Sequence, residues 1–159
     1  LGYEVIASDK DISDLVKEYE YFLITIGQIK SPDKRIELYQ ILKGASGQLP
    51  VIVSPLAYVS SHSQIAEGTI VMHQAMVNAG AQIGKNCIIN SGALIEHDAT
   101  IGDHCHISTK SVINGGSRVG MGTFFGSNSV CKEEIEIGEN SIIGCGVNVL
   151  ADQPNTFRK

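Results

Sequence analysis

The sequence lacks clustered basic residues, long apolar runs and closely paired cysteines. Its 159 residues include 12 Lys and Arg against 17 Asp and Glu, a net charge of −5. The absence of a Lys/Arg cluster argues against nucleic-acid binding, which depends on phosphate neutralisation. No apolar run reaches the roughly eighteen residues that a membrane-spanning helix needs, and no signal-peptide pattern precedes the first predicted strand. We therefore expect a cytoplasmic protein.

A six-residue period runs through residues 53–154. From Val53 to Pro154 the sequence divides into seventeen blocks without an insertion, and fifteen of the seventeen begin with Ile or Val. A small residue follows four positions later in nearly every block. This period predicts a parallel β-helix, in which each unit buries its apolar face only by stacking on its neighbours. Three blocks would form one eighteen-residue coil, with coils about 4.8 Å apart.

The repeat also gives the cysteines and glycines structural roles. The four cysteines contain no Cys-x-x-Cys pair, and Cys87 and Cys105 hold the small-residue position, so we expect buried free thiols. Gly or Asn in second place predicts the tight corners there, because both tolerate unusual dihedrals. The second-place residues are Gly84, Gly102, Gly120, Gly126, Gly138 and Gly144, with Asn78, Asn90 and Asn114. The flat faces of such a prism favour association, most simply as a homotrimer.

Residues 1–52 do not share the six-residue period. Tyr3–Ala7 and Phe22–Ile26 predict short strands, and a helix is expected from an N-cap at Ser31 to Gly44. These signals predict part of a βαβ domain from which a first strand and its phosphate-binding loop are missing. We therefore expect a partial Rossmann-like domain over 1–52, a β-helix domain over 53–154 and a tail over 155–159.

Residues 92–108, which include Glu96-His97-Asp98 and His106, resemble a known family. The blocks as a whole resemble the left-handed β-helix acyltransferases, and this stretch is similar to sialic acid O-acetyltransferases and bacillosamine-type UDP-4-amino-sugar N-acetyltransferases. The resemblance implies a mainly β, left-handed parallel β-helix, with His97 as general base and His106 as a contact for acetyl-CoA. It also implies Asp98 as the orienting acid, with Glu96 as the weaker candidate, and no metal.

The remaining site residues follow from the same resemblance. Gly2-Tyr3-Glu4-Val5, Asp9-Lys10 and Ile26-Gly27 match a nucleotide-sugar-binding domain, which implies substrate contacts at Asp9, Lys10 and Gly27. In this family acetyl-CoA lies in a groove between two prisms, which implies contacts at Ser127 and Cys145, beside Gly126 and Gly144. The family's glycine-rich first loop and its Gly-x-Pro-Ala ending are both absent from this sequence. The first departure implies weaker binding of the nucleotide-sugar, and the second a smaller contact surface for CoA.

Histidine suits this chemistry because acyl transfer removes a proton from the attacking amine or hydroxyl. An imidazole with a pKa near 6.5 can accept that proton, and a neighbouring carboxylate can orient the ring. We expect main-chain amides at a coil corner to stabilise the oxyanion. His62, His73 and His104 lack such flanking residues and are predicted to be surface residues.

Three alternatives stay open. The acceptor is predicted to be the amine of a nucleotide-linked 4-amino-4,6-dideoxy sugar, but the hydroxyl of sialic acid would need the same base. A zinc lyase similar to γ-class carbonic anhydrases uses the same prism, yet the His-x-x-x-x-His pair of that class is absent. His104 and His106 provide two ligands, one fewer than a catalytic zinc site needs. A non-enzymatic scaffold would favour a uniform outward column, which the sequence does not show.

Overall fold

The computed structural model describes residues 2–158. Within them, a short 3-10 helix (Asp9–Asp11) precedes α1 (Ile12–Glu18) and α2 (Asp33–Gly44). Seventeen two-residue strands follow, one for each block of the repeat: β1 (Ile52–Val53), β2 (Tyr58–Val59), β3 (Gln64–Ile65), β4 (Ile70–Val71), β5 (Met76–Val77), β6 (Gln82–Ile83), β7 (Ile88–Ile89), β8 (Leu94–Ile95), β9 (Thr100–Ile101), β10 (His106–Ile107), β11 (Val112–Ile113), β12 (Arg118–Val119), β13 (Phe124–Phe125), β14 (Val130–Cys131), β15 (Glu136–Ile137), β16 (Ile142–Ile143) and β17 (Asn148–Val149). No helix in this part of the chain is long and apolar enough to cross a membrane.

The strands form a parallel β-helix with three faces. Within residues 2–158 the three sheets have the orders β1-β4-β7-β10-β13-β16, β2-β5-β8-β11-β14-β17 and β3-β6-β9-β12-β15. Every strand pairs in parallel with a strand eighteen residues away, as Val53 does with Val71. The predicted eighteen-residue coil is therefore confirmed. Each sheet covers one side of a triangular prism, and the turns between strands make its three edges.

Both predicted columns point into the prism. The first-position residues are buried from Val71 to Val149, and the small residues four positions later are buried beside them. The exceptions lie at the open N-terminal end, where Val53 remains 43% exposed because its coil has a neighbour on only one side. Burial of each inward Val or Ile contributes on the order of 1.5–3 kcal/mol, and this column fixes the register of the repeat.

The small residues also carry hydrogen bonds between coils. Thr123 donates through Oγ1 to the main-chain oxygen of Gly138 at 3.0 Å and accepts from the amide of Ser141 at 3.1 Å. Cys87 and Cys105 occupy the same place and point their sulfurs at the oxygens of Gly102 and Gly120, each at 3.1 Å. Both thiols are free and buried, as predicted, and burial raises the pKa of the Cys105 thiol.

The prediction that the corners lie at the second position of each block is wrong. The left-handed backbone conformation recurs at the fourth position, in Gly80, Asn86 and Asp98 for example. The second-position glycines have another cause: a Cβ on Gly102 would lie 2.7 Å from the amide nitrogen of Met121 in the next coil. They are glycines because adjacent coils approach too closely for a side chain, and not because of their dihedrals.

The two predicted N-terminal strands do not form. Tyr3–Ala7 and Phe22–Ile26 have no regular secondary structure, and the bridge found beside them among the described residues joins Tyr21 and Gln48. Tyr3 is 90% exposed, since no strand pairs with it among the described residues. The predicted helix forms and ends at Gly44 as expected, but Ser31 is not its N-cap. The helix begins at Asp33 with Pro32 as N-cap, one residue later than predicted, and Ser31 Oγ accepts from the amide of Asp33 at 3.0 Å.

The N-terminal residues build a small core of their own, separate from the core of the prism. It consists of the buried side chains Ile12, Ile24, Leu38, Leu42 and Leu49. Side chains of α2 then reach the β-helix, where Glu67 accepts from Tyr39 Oη at 2.7 Å and from Lys43 Nζ at 2.8 Å. The domain boundary at residue 52 stays a prediction.

Candidate functional site

His97 and Asp98 occupy one corner of the prism, between β8 and β9. Asp98 takes the left-handed conformation of the corner, with φ 60°, and its carboxylate Oδ2 lies 2.9 Å from His97 Nδ1. The hydrogen bond to Asp98 raises the pKa of His97 above its ordinary value. Gly80, one coil earlier, leaves the space that the Asp98 carboxylate fills. The predicted base and its orienting acid therefore lie together.

The ring of His97 faces an open cleft. The side chain is 68% exposed, and Nε2 makes no hydrogen bond within residues 2–158. With Nδ1 donating to the carboxylate, Nε2 carries the lone pair that could accept a proton. This is the arrangement that a general base needs.

Acidic side chains dominate the cleft. Its volume is about 650 Å³, and it is lined by Glu96, His97, Asp98, Asn114, Gly115, Gly116, Glu133 and Glu134. Glu96 is held by Asn78, whose Nδ2 donates to its Oε2 at 2.7 Å. Lys and Arg are absent from the described lining. The cleft is thus suited to a cationic group, a property that sequence reasoning missed because Glu133 and Glu134 come from two coils further along.

His106 lies across the prism from His97. Nine residues are half of an eighteen-residue coil, so His106 falls on β10, in the sheet opposite the His97 corner. Its ring is buried, with Nδ1 2.8 Å from the main-chain oxygen of Gln28 and Nε2 3.1 Å from Nδ2 of Asn90. Burial lowers its pKa. The chain does not bring the two histidines together, and a CoA contact at His106 stays a prediction.

His104 is not the surface residue that was predicted, because the N-terminal unit covers it. It is 9% exposed, its Nδ1 lies 2.9 Å from Nδ2 of Asn86, and its ring meets Tyr39 edge-on at 5.3 Å. Burial lowers its pKa. His62 and His73 are exposed, as predicted.

The residues predicted to bind acetyl-CoA lie at a different corner. Ser127 lies in the turn after β13, and Cys145 lies one coil beyond it. The two coils are joined here by the bond from the Gly146 amide to the Ser127 oxygen at 2.9 Å. Cys145 is exposed, and Ser127 Oγ lies 2.9 Å from Ser108 Oγ. Gly126 has a packing role, since a Cβ there would lie 2.5 Å from the carbonyl carbon of Gly144. The chain therefore separates these residues from His97.

The predicted substrate contacts lie in the N-terminal unit. Asp9 and Lys10 are exposed in the 3-10 helix, and Gly27 is exposed in the segment before α2. Asp9 borders a largely apolar cavity of about 480 Å³, whose other lining residues include Val5, Phe22 and Ile24. Neither Lys10 nor Gly27 borders it. Their role stays a prediction, and the structure groups only Asp9 with a cavity.

Metal-ligating side chains do not cluster in the described part of the chain. Among residues 2–158 no group of three or more His, Cys, Asp or Glu side chains is placed to hold an ion.

Comparisons with known proteins agree with the repeat. Residues 62–97 match the family of bacterial transferase hexapeptides (six repeats). A search of curated protein sequences finds no match to the chain.

Solved structures match nearly the whole chain. PerB from Caulobacter crescentus, in complex with CoA and GDP-perosamine, is 29% identical with a TM-score of 0.94, over 99% of this chain and 75% of that one. A variant of perosamine N-acetyltransferase from Caulobacter crescentus with one histidine replaced by asparagine, also with CoA and GDP-perosamine, is 28% identical with a TM-score of 0.94, over 99% and 74%. The acetyltransferase domain of PglB from Neisseria gonorrhoeae FA1090, with acetyl coenzyme A, is 24% identical with a TM-score of 0.93, over 99% and 75%. These likenesses confirm the predicted resemblance to left-handed β-helix sugar acetyltransferases and the fold it implies.

Proposed function

We propose that the protein transfers the acetyl group of acetyl-CoA to the amine of a nucleotide-linked 4-amino-4,6-dideoxy sugar, with His97 as the general base. The observation that carries the proposal is the contact between His97 Nδ1 and Asp98 Oδ2, which leaves Nε2 open to the cleft. The likeness to enzymes bound to CoA and GDP-perosamine supports the class of reaction and of both substrates.

The chemistry follows from the free nitrogen of His97. As the sugar amine attacks the thioester carbonyl, a C–N bond forms and the amine proton passes to Nε2. When the tetrahedral intermediate collapses, the C–S bond breaks and the imidazolium returns the proton to the leaving thiolate. Asp98 holds the ring in the required tautomer and stabilises its charged form.

The charge of the cleft favours an amine over sialic acid. Glu96, Asp98, Glu133 and Glu134 border the space in front of His97. The amine of an amino sugar arrives as an ammonium group, which these carboxylates attract, and it loses one proton to solvent before the neutral amine attacks. Sialic acid instead carries a carboxylate, which they repel. N-acetylation is therefore the proposed reaction, and O-acetylation of sialic acid is its rival in the test.

The separation of the predicted residues supports a homotrimer. His97 and the Ser127–Cys145 corner lie at different edges of one prism, so a cleft containing both requires two copies of the chain side by side. In a threefold assembly every interface would join one His97 corner to one Ser127 corner.

Thiol release from acetyl-CoA tests the proposal directly. The protein is incubated with acetyl-CoA and either a GDP- or UDP-linked 4-amino-4,6-dideoxy sugar or sialic acid, and the product is identified by mass spectrometry. We expect release and an N-acetylated product with an amino sugar. Release with sialic acid but not with an amino sugar would make a hydroxyl, and not an amine, the acceptor group. If neither acceptor gave thiol release, the proposed function would be contradicted.

A further inference from the structure

Gly115 lies one coil beyond His97 at the same corner, directly against its imidazole. The two coils are joined here by the bond from the Gly116 amide to the His97 oxygen at 3.0 Å. A Cβ built on Gly115 would lie 2.7 Å from Nε2 and 2.8 Å from Cε1 of His97. Non-bonded atoms prefer separations of about 3.5–4.0 Å, so any side chain at this position would displace the ring.

The repeat itself does not need glycine at residue 115. Gly115 holds the third position of its block, and the other sixteen blocks all carry a side chain there, from Ala79 to Lys85 in size. Gly115 is also not among the described residues with a positive φ. The backbone at this position therefore accepts a Cβ, and His97 is the group that excludes one.

We propose that Gly115 is a positioning residue for His97, whose missing side chain lets the imidazole lie over the next coil while Nδ1 remains bonded to Asp98. An alanine at position 115 pushes the ring outward and breaks the contact with the carboxylate. The effect on catalysis rests on the proposed function, but the placement of the ring does not.

The first experiment follows the ring in the ligand-free protein. The imidazole resonances of His97 are titrated by NMR in the wild type, in Gly115→Ala and in Asp98→Asn. Asp98 holds the pKa of His97 above its ordinary value in the wild type. We expect the pKa in Gly115→Ala to fall towards that in Asp98→Asn. A wild-type titration in Gly115→Ala would overturn the proposal.

Kinetics provide a second readout. In the thiol-release assay we expect Gly115→Ala to lower kcat roughly 10- to 100-fold, because misplacing a catalytic group by about 1 Å costs about that much. We expect the pH profile of the variant to resemble that of Asp98→Asn. If neither acceptor is acetylated by the wild type, the proposed function fails, while the NMR titration still decides the role of Gly115.

A double-mutant cycle separates a clash with the ring from a clash with the coil. The free energy of unfolding is measured for Gly115→Ala with His97 present and in a His97→Ala background. Because the exposed ring can move outward, we expect the alanine to cost slightly more stability in the first protein, through the lost contact with Asp98, than in the second, where the ring is absent. Equal destabilisation in both would place the clash in the coil and contradict the proposal.

Gly92→Ala is the matched control. Gly92 has φ +67° at another corner, and a Cβ there would lie 3.2 Å from Lys110 Cγ. This variant should lower the melting temperature through backbone strain and leave the titration of His97 unchanged. A His97 pKa that moves equally in Gly92→Ala would show that general loosening is the cause, and the proposal would be wrong.

Discussion

Arg35 and Asn86 each donate a side-chain hydrogen bond to the main-chain oxygen of the other, both at 3.3 Å. Arg35 is 1% exposed and also donates through Nη1 to the oxygens of Ile24 and Ile26, each at 2.8 Å. Its described acceptors are all carbonyls, and burial lowers its pKa to about 10. One buried cation thus holds the N-terminal unit against the coil that contains Asn86.

Replacing Arg35 by Ala should destabilise the protein and loosen this junction first. The change leaves three carbonyls without their donor, and each buried unpaired polar group costs about 1–3 kcal/mol. We expect a loss of roughly 3 kcal/mol or more in the free energy of unfolding, measured with urea. Hydrogen exchange should accelerate most in residues 24–28, while the central coils stay protected.

Lys34→Ala is the control for Arg35→Ala on the same helix. Lys34 is exposed and pairs with Glu37 at 3.1 Å, so its loss should cost no more than about 0.5 kcal/mol. Arg35→Lys should lie between the two, because an ammonium cannot reach all three carbonyls. Equal stability of Arg35→Ala and Lys34→Ala would refute the role of Arg35 as the junction.

The prism could be predicted from sequence because its pattern of inward-facing residues is local and periodic. Each inward residue, such as Ile95 or Ile101, repeats at a fixed interval, and one block suffices to place the next. The corner position was also visible, since Gly, Asn or Asp holds most of the fourth positions, among them Gly80 and Asn86. The glycines in second place led to the wrong position for the corners, because close packing of coils selects glycine as strongly as a left-handed backbone does.

The N-terminal unit and half of the site could not be predicted, because they depend on contacts distant in sequence. Gln28 covers His104 and His106 from more than 70 residues away, donating to the His104 oxygen at 2.7 Å. Likewise, Glu133 borders the cleft of His97 only because it lies two full coils further along at the same corner. Spacing within one segment indicates His97 and Asp98, but not the residues that surround them.

His97→Ala tests general-base catalysis. Removing the imidazole should lower kcat for the amino-sugar acceptor by roughly two or more orders of magnitude, because general bases contribute about 10²- to 10⁴-fold. The measurement is thiol release at saturating acetyl-CoA. His62→Ala, an exposed histidine two coils away, should retain wild-type turnover. Unchanged turnover in His97→Ala would remove this residue from the mechanism.

The pH dependence of kcat/KM reports the same histidine in the free enzyme. Only neutral His97 accepts a proton, and its pKa is raised by the hydrogen bond to Asp98. The acidic limb of the profile should therefore have its midpoint above about 6.5, the ordinary value for histidine. Asp98→Asn should move the midpoint down and lower the plateau at least about tenfold, since an amide does not fix the reactive tautomer. A midpoint that stays in place would show that Asp98 does not control His97.

The acidic lining of the cleft should distinguish an acceptor with a cationic amine from one with a carboxylate. Glu133→Gln removes one exposed carboxylate near His97, and single exposed charges contribute about 0.2–1 kcal/mol, so KM for the amino sugar should rise ~1.4- to 5-fold. Added salt should raise the wild-type KM more than that of the variant, because screening removes the same attraction. Glu139→Gln makes an equal change in charge at a different corner and should leave KM unaltered. Equal effects of the two substitutions would indicate the overall charge of the protein, and not the cleft, as the source of the preference.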